Sequence, residues 1–65
     1  MDTYEYPLGV QFNALTPERA AARVFGGRAS DYLATTHWNR HGGTFYLEVI
    51  TADGEYVGEI PIVSR

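Results

Sequence analysis

A chain of 65 residues without cysteine and with a net charge of −3 forms one small domain that neither disulfides nor thiolate-bound metals stabilise. Its 45% hydrophobic and 20% charged residues are typical of a folded protein and exclude a disordered one. The acidic balance argues against wrapping a nucleic-acid backbone, which favours a basic footprint. No apolar run reaches membrane-spanning length, and the polar start MDTYEYPLG does not resemble a signal peptide, which predicts a cytoplasmic protein.

The first predicted element is a strand over residues 4–12. Apolar and aromatic side chains recur there at every second position, which indicates a half-buried strand. Pro7 lacks an N–H donor and therefore places this strand at a sheet edge or breaks it. The side chains that share one side are Tyr4, Tyr6, Leu8, Val10 and Phe12.

The second element is a helix over residues 17–25. Thr16 is a good N-cap, Pro17 suits the first helical position, and Gly26 and Gly27 end the helix. The side chains expected to face inward are Ala20, Ala21, Val24 and Phe25. Arg19 and Arg23 lie four residues apart on the outer side of the helix, and Arg28 follows.

The rest of the chain predicts a three-stranded meander. The pair Asp53-Gly54 indicates a two-residue hairpin turn with positive φ. The resulting register sets Leu47 against Ile60 and Val49 against Gly58, and it gathers one apolar face: Phe45, Leu47, Val49, Tyr56, Ile60 and Ile62. An upstream loop of Asn39, Arg40, His41 and Gly42 sets Thr36 against Phe45 and adds Tyr32, Ala34, Thr36 and Trp38 to that face.

The predicted fold is therefore α+β in the order β-α-β-β-β, as a single domain over residues 1–65. One helix packs on one face of a four-stranded, mainly antiparallel sheet. The sequence does not determine the strand order.

The stretch THWNRHGG, residues 36–43, holds both histidines and the only tryptophan. His37 and His41 lack a nearby third ligand, so no metal or other cofactor is expected. Ser30 and Ser64 lie in no nucleophile motif, and FGGRAS follows a helix instead of preceding one, so no catalytic residue is assigned and the chain is not expected to be an enzyme. Two interpretations of residues 36–43 remain. The segment is either a polar hairpin tip or a contact loop anchored by Trp38 and Arg40.

The sheet face opposite the helix is the stronger candidate for binding. The predicted register places there Leu33, Thr35, His37, Tyr46, Glu48, Ile50, Val57, Glu59 and Val63. A contiguous exposed apolar patch usually marks an interaction site. Glu48 falls directly opposite Glu59, an unfavourable pairing that makes both residues candidates for meeting a basic partner. The alternative is that both carboxylates extend into water at small cost.

The size, the absence of cysteine, the acidic balance and the order of LTPERAAARVFGG before TFYLEVITADGEYVGEIPI resemble the anti-CRISPR inhibitors, small proteins that phages encode to disable host defences. The resemblance covers the whole chain as a pattern of elements, without a sequence motif. It implies a stoichiometric inhibitor of a host nucleic-acid-processing complex, working in the host cytoplasm. On this hypothesis the protein contacts are Trp38, Arg40, Tyr46, Glu48, Ile50, Val57 and Glu59.

Two alternatives remain open. A self-assembling homo-oligomer, at minimum a homodimer, would pack the sheet faces of two copies together and so supply the buried surface that a small domain needs. A small nucleic-acid-binding regulator would instead contact phosphates through Arg19, Arg23 and Arg28.

Overall fold

The computed structural model describes residues 1–64 as one α-helix and one five-stranded antiparallel sheet. The elements follow one another as β1 (Asp2–Glu5), β2 (Gln11–Ala14), α1 (Pro17–Phe25), β3 (Tyr32–Asn39), β4 (Thr44–Thr51) and β5 (Tyr56–Ser64). A single 3-10 turn, Ala29–Asp31, joins α1 to β3. The strands lie side by side in the order β2-β1-β5-β4-β3, and every neighbouring pair is antiparallel. The α+β class is confirmed, but the predicted four strands are five.

The extra strand comes from a chain reversal at Pro7. The predicted single strand over residues 4–12 is a hairpin, in which Tyr4 on β1 pairs with Phe12 on β2. The Tyr6 N–H donates to the Val10 carbonyl and the Gly9 N–H donates to the Tyr6 carbonyl, both at 2.8 Å, and Gly9 has a φ of +87°. The alternation of apolar residues ran unbroken through this turn, which is why the sequence pattern suggested one continuous strand.

Helix α1 has the predicted bounds. The Thr16 hydroxyl accepts a hydrogen bond from the Arg19 N–H at 3.1 Å, so one of the unpaired N–H groups of the first turn is satisfied. Gly26 follows the helix with a φ of +88°, and its N–H donates to the Ala22 carbonyl. The fully buried Ala20 and Ala21 let the helix approach the sheet closely. No helix among residues 1–64 is long and apolar enough to cross a membrane.

The hydrophobic core lies between α1 and one face of the sheet, which we call the inner face. Its buried residues are Tyr4, Phe12, Ala20, Ala21, Leu47, Val49, Ile60 and Ile62. The pairings of Leu47 with Ile60 and of Val49 with Gly58 are as predicted. Gly58 also leaves room for the helix end, because a Cβ atom at this position would lie only 3.1 Å from Cζ of Phe25.

The turn between β4 and β5 differs from the predicted two-residue turn. The Thr51 N–H donates to the Glu55 carbonyl at 2.7 Å and the Gly54 N–H donates to the Thr51 carbonyl at 2.9 Å. These bonds close a three-residue loop in which Gly54 supplies the positive φ, +95°. Asp53 does not have positive φ, and a two-residue type I′ turn requires it at both central positions.

The longer loop moves the register by one residue near the turn, and a β-bulge restores it. Ile50 pairs with Tyr56, whereas Val49 still pairs with Gly58. Tyr56 and Val57 therefore exchange faces. Tyr56, predicted to lie in the core, is 63% exposed, and Val57, predicted on the opposite face, packs against the core. The predicted placement of Val57 on the sheet face opposite the helix is thus wrong.

The β3–β4 hairpin is shifted by two residues from its predicted register. Thr36 lies opposite Leu47 instead of Phe45, and residues 40–43 form the loop. The Asn39 side-chain oxygen accepts from the N–H groups of His41 at 3.0 Å and Gly42 at 3.2 Å, which pulls Asn39 into the hairpin. A shift by two preserves which face each side chain occupies. Trp38 shares the parity of the inner face but is 54% exposed and meets Phe45 edge-on.

Candidate functional site

The face of the sheet turned away from α1, which we call the outer face, carries an unusual mixture of side chains. On β3, β4 and β5 the register places there Leu33, Thr35, His37, Tyr46, Glu48, Ile50, Tyr56, Glu59, Pro61 and Val63. A solvated face of an antiparallel sheet is normally polar. Here Leu33 is 53% exposed, and Tyr56 and Val63 are also exposed.

Two glutamates face each other in the middle of this surface. Glu48 on β4 lies directly opposite Glu59 on β5, and its neighbour on the other side is Thr35 of β3. Among the described residues no hydrogen bond or ion pair neutralises either carboxylate. Like charges at facing positions destabilise a sheet. The fold therefore tolerates a local conflict that a partner cation would remove.

Tyr56 stands beside the glutamate pair. Partial desolvation, followed by the negative charges of Glu59 and Glu48 and by the nearby Tyr46, raises the pKa of Tyr56 above its ordinary value of 10.0. The raised pKa reports that the phenol and both carboxylates share one electrostatic environment.

Removing the two charges is expected to lower the pKa of Tyr56. In a variant with Glu48→Gln and Glu59→Gln, an NMR-monitored titration of the Tyr56 ring should show this pKa moving toward 10.0 without fully reaching it, because desolvation remains. The contribution of Tyr56 to the stability of the wild-type domain should be fully present below the unfolded pKa of tyrosine and should be lost as the pH rises through the higher folded pKa of Tyr56.

The matched control for this titration is Glu18→Gln, which removes a carboxylate from the first turn of α1. The pKa of Tyr56 should be the same in this control as in the wild type. An unchanged pKa in the variant that lacks Glu48 and Glu59 would contradict the assigned geometry.

Apolar and aromatic contacts border the glutamate pair on the side of β3. The His37 ring stacks on the Tyr46 ring with centroids 5.5 Å apart and planes 22° apart, and the two residues face each other across β3 and β4. Leu33 lies opposite Ile50, which in turn pairs with Tyr56. Rings and aliphatic side chains thus lie near the carboxylates on this face, together with the polar side chain of Thr35.

An open cleft connects the outer face with the 40–43 loop. Its volume is about 670 Å³, and it is lined by Pro7, Trp38, Asn39, Arg40, His41, Thr44, Phe45, Tyr46, Glu59 and Pro61. It brings together four of the seven predicted protein-contact residues: Trp38, Arg40, Tyr46 and Glu59. Glu48 and Ile50 lie on the same face, whereas Val57 does not, because the bulge turns it toward the core.

The three arginines of the nucleic-acid alternative do not line one common depression. Arg23 Nε donates to the Tyr6 hydroxyl at 2.7 Å, and its guanidinium lies 5.3 Å from the centroid of the Phe12 ring. Arg19 shares a depression of about 290 Å³ with Arg23. Arg28 is not among the residues lining that depression, and its backbone N–H donates to the Asp31 carboxylate at 2.8 Å.

The histidines of the hairpin lie in different settings. His37 is stacked within the sheet, whereas His41 is exposed on the loop. No group of three His, Cys, Asp or Glu side chains within residues 1–64 is close enough to hold a metal ion.

No protein-family model matches the chain, and neither does any curated protein or solved structure.

Sequence reasoning missed three residues of this surface: Tyr56, Pro61 and Pro7. The sequence predicts Tyr56 in the core because Asp53-Gly54 favours a two-residue turn, and the observed three-residue loop places it on the outer face instead. A signal for the bulge exists in TADGE, where the glycine can be the third residue of a three-residue loop as well as the second of a two-residue turn. Pro7 reaches the cleft only because the chain reverses after β1.

Proposed function

We propose that this chain is a non-enzymatic protein-binding module that acts as a stoichiometric inhibitor or adaptor on a larger complex. The observation that carries the proposal is the outer face, where exposed apolar and aromatic side chains surround the unpaired glutamates Glu48 and Glu59. Exposed apolar patches mark interaction sites, and local rules of sheet pairing are broken most often where function demands it.

The extent of the surface supports an interface that includes the loop. A stable protein–protein interface takes about 800 Å² from each partner, which is about a fifth of this domain's total accessible surface of 4366 Å². Three strands of eight residues cover only about 400 Å² in projection. The 40–43 loop and the cleft beside it therefore belong to the proposed contact area, with Arg40 and Trp38 at its border.

The placement of the polar groups favours binding over catalysis. A catalytic base needs a second group that orients it and a nucleophile or substrate atom within reach. His41 has one hydrogen bond within the described chain, from its own backbone N–H to Asn39, and His37 is stacked on Tyr46. Most catalytic sites exclude water by enclosing the substrate in a pocket. The cleft of this domain is open to solvent and therefore does not provide such an enclosure.

The resemblance to anti-CRISPR inhibitors extends the proposal to a target and a compartment. The partner would be a host nucleic-acid-processing complex in the cytoplasm, and the acidic outer face would occupy a basic groove that otherwise holds nucleic acid. Such complexes hold nucleic acid in positively charged channels. Electrostatic attraction between the two surfaces would also accelerate association.

The proposal is tested by affinity capture from bacterial lysate with nuclease, using the wild-type chain and a double variant, Glu48→Arg with Glu59→Arg. This variant reverses the charge of the outer face. It keeps like charges at facing positions, as in the wild type, so the repulsion between the two strands is the same in both chains. A defined, nuclease-resistant complex should be captured by the wild type and reduced at least about tenfold by the variant.

The control for this capture is Arg19→Glu, which changes an exposed charge on the helix side and should leave the captured complex unchanged. Equal capture by the wild type and the outer-face variant would refute the proposal. Recovery of nucleic acid that disappears with nuclease would favour the regulator alternative, and recovery of the chain alone would favour self-assembly.

A further inference from the structure

We infer that the outer face docks a protein partner through an arginine, whose guanidinium lies between the carboxylates of Glu48 and Glu59 and against the ring of Tyr56. The inference rests on the proposed function and specifies the chemistry of the partner. It follows from three features of the surface: facing carboxylates, an exposed ring beside them and an apolar surround.

The facing carboxylates match one planar cation. Side chains at directly opposite positions of an antiparallel pair have Cβ atoms about 5 Å apart, so Glu48 and Glu59 can both reach a single group placed above them. A guanidinium presents five N–H donors in a fixed plane and can donate to two carboxylates at once. A lysine ammonium is a compact, strongly hydrated charge without that planar arrangement.

The exposed ring of Tyr56 adds a second preference for arginine. Tyr56 is close enough to both glutamates that their charges raise its pKa, and it pairs with Ile50 across β4 and β5. Guanidinium groups stack on aromatic faces more readily than ammonium groups do. Ile50 and the exposed Leu33 opposite it can cover the aliphatic stem of the arginine or an apolar neighbour on the partner.

The charges of the face disfavour the other occupants. A second copy packed face to face would bring four carboxylates together, and a nucleic-acid backbone would add phosphates to them. A divalent cation would find two carboxylates, whereas calcium takes six to eight oxygen ligands. An apolar partner without a cation would leave the two glutamates buried and unpaired, which is strongly unfavourable.

The inference is tested with capped seven-residue peptides of alternating threonine and leucine that carry one central arginine or one central lysine. Each peptide is titrated into the full chain up to the millimolar range, and NMR shifts of Tyr56 and Ile50 are followed. The arginine peptide should bind about tenfold more tightly than the lysine peptide. Raising the salt concentration should weaken the binding of the arginine peptide, because the interacting charges are partly exposed to solvent.

The variant Glu48→Gln with Glu59→Gln should weaken the arginine peptide about tenfold and abolish the difference between the two peptides. The charge-matched control, Glu18→Gln with Glu55→Gln, removes two carboxylates from α1 and from the β4–β5 turn and should bind as the wild type does. Equal binding of both peptides, absence of binding by the arginine peptide, or equal weakening in the control would each overturn the inference.

These outcomes are separable from a failure of the proposed function. If the peptides show no preference for arginine but the charge-reversed chain still loses its captured complex, the arginine inference is wrong and the binding module remains. If capture does not depend on the outer face, the proposed function itself is wrong.

Discussion

Replacing Leu47 by alanine is expected to lower the free energy of unfolding by about 3 kcal/mol and the midpoint of thermal unfolding by about 15 °C. Leu47 is fully buried on β4, with Thr36 of β3 on one side and Ile60 of β5 on the other. A domain of this size has a total stability of about 3–10 kcal/mol, so this one truncation removes a large part of it. Thermal and urea unfolding followed by circular dichroism measures the loss.

The control is the same substitution at an exposed leucine. Leu8 lies in the β1–β2 turn and is 92% exposed, so Leu8→Ala should change the free energy of unfolding by no more than about 0.5 kcal/mol. Equal losses at the two positions would show that the buried residues identified here do not form the core.

The helix was predictable because its signals are local. Thr16, Pro17 and Gly26 mark the two ends within a few residues of sequence, and the observed bounds Pro17–Phe25 agree with them. The first hairpin was not predictable in the same way. Tyr4 and Phe12 are both buried, and alternation cannot distinguish one continuous strand from two strands that meet at a turn with the same parity.

The sheet faces were predicted better than the registers. Burial patterns fix the parity of a strand, since a slip by one residue would exchange its faces, but a slip by two leaves them unchanged. The β3–β4 pairing shows this: Thr36 faces Leu47 instead of Phe45, yet every side chain keeps its face. The deciding hydrogen bonds, which the loop N–H groups donate to the Asn39 side-chain oxygen, leave no trace in the hydrophobic pattern of the sequence.

The candidate site depends on the hydrophobic pattern of the strands and on the length of the β4–β5 turn. The pairing of Glu48 with Glu59 was predictable, because the neighbouring pairs Leu47–Ile60 and Val49–Gly58 are fixed by the hydrophobic pattern of the two strands. The exposure of Tyr56 was not predictable, because it results from a three-residue loop at Gly54, where the Asp53-Gly54 pair favours a two-residue turn. Asn-Gly and Asp-Gly pairs occur in both, and tertiary packing of Val57 against the core accompanies the longer loop.

The conflict between Glu48 and Glu59 sits where the domain can tolerate it. Both residues are on the face that contributes nothing to the core, and Glu59 is exposed, so the repulsion is weakened by solvent. The same location makes the pair accessible to a partner. The core lies on the inner face and the proposed binding surface on the outer face, so stability and binding can be changed separately by mutation.

Replacing Gly58 by valine is expected to lower the free energy of unfolding by about 2 kcal/mol, because the added side chain collides with the end of helix α1. A Cβ atom alone would lie 3.1 Å from Cζ and 3.3 Å from Cε1 of Phe25, and the two methyl groups of valine require still more space. The ring must leave its position, where it also packs near Tyr32 with centroids 6.3 Å apart.

A double-mutant cycle with Phe25→Ala separates this collision from any general effect of valine in β5. Without the Phe25 ring the space above Gly58 is open, and valine favours an extended strand more than glycine does. Gly58→Val should therefore be neutral or stabilising in the Phe25→Ala background, which corresponds to a coupling energy of at least about 2 kcal/mol. The same loss in both backgrounds would mean that Gly58 does not position the helix. A loss confined to the background that keeps the Phe25 ring would show that Gly58 gives the end of α1 room to close over the sheet.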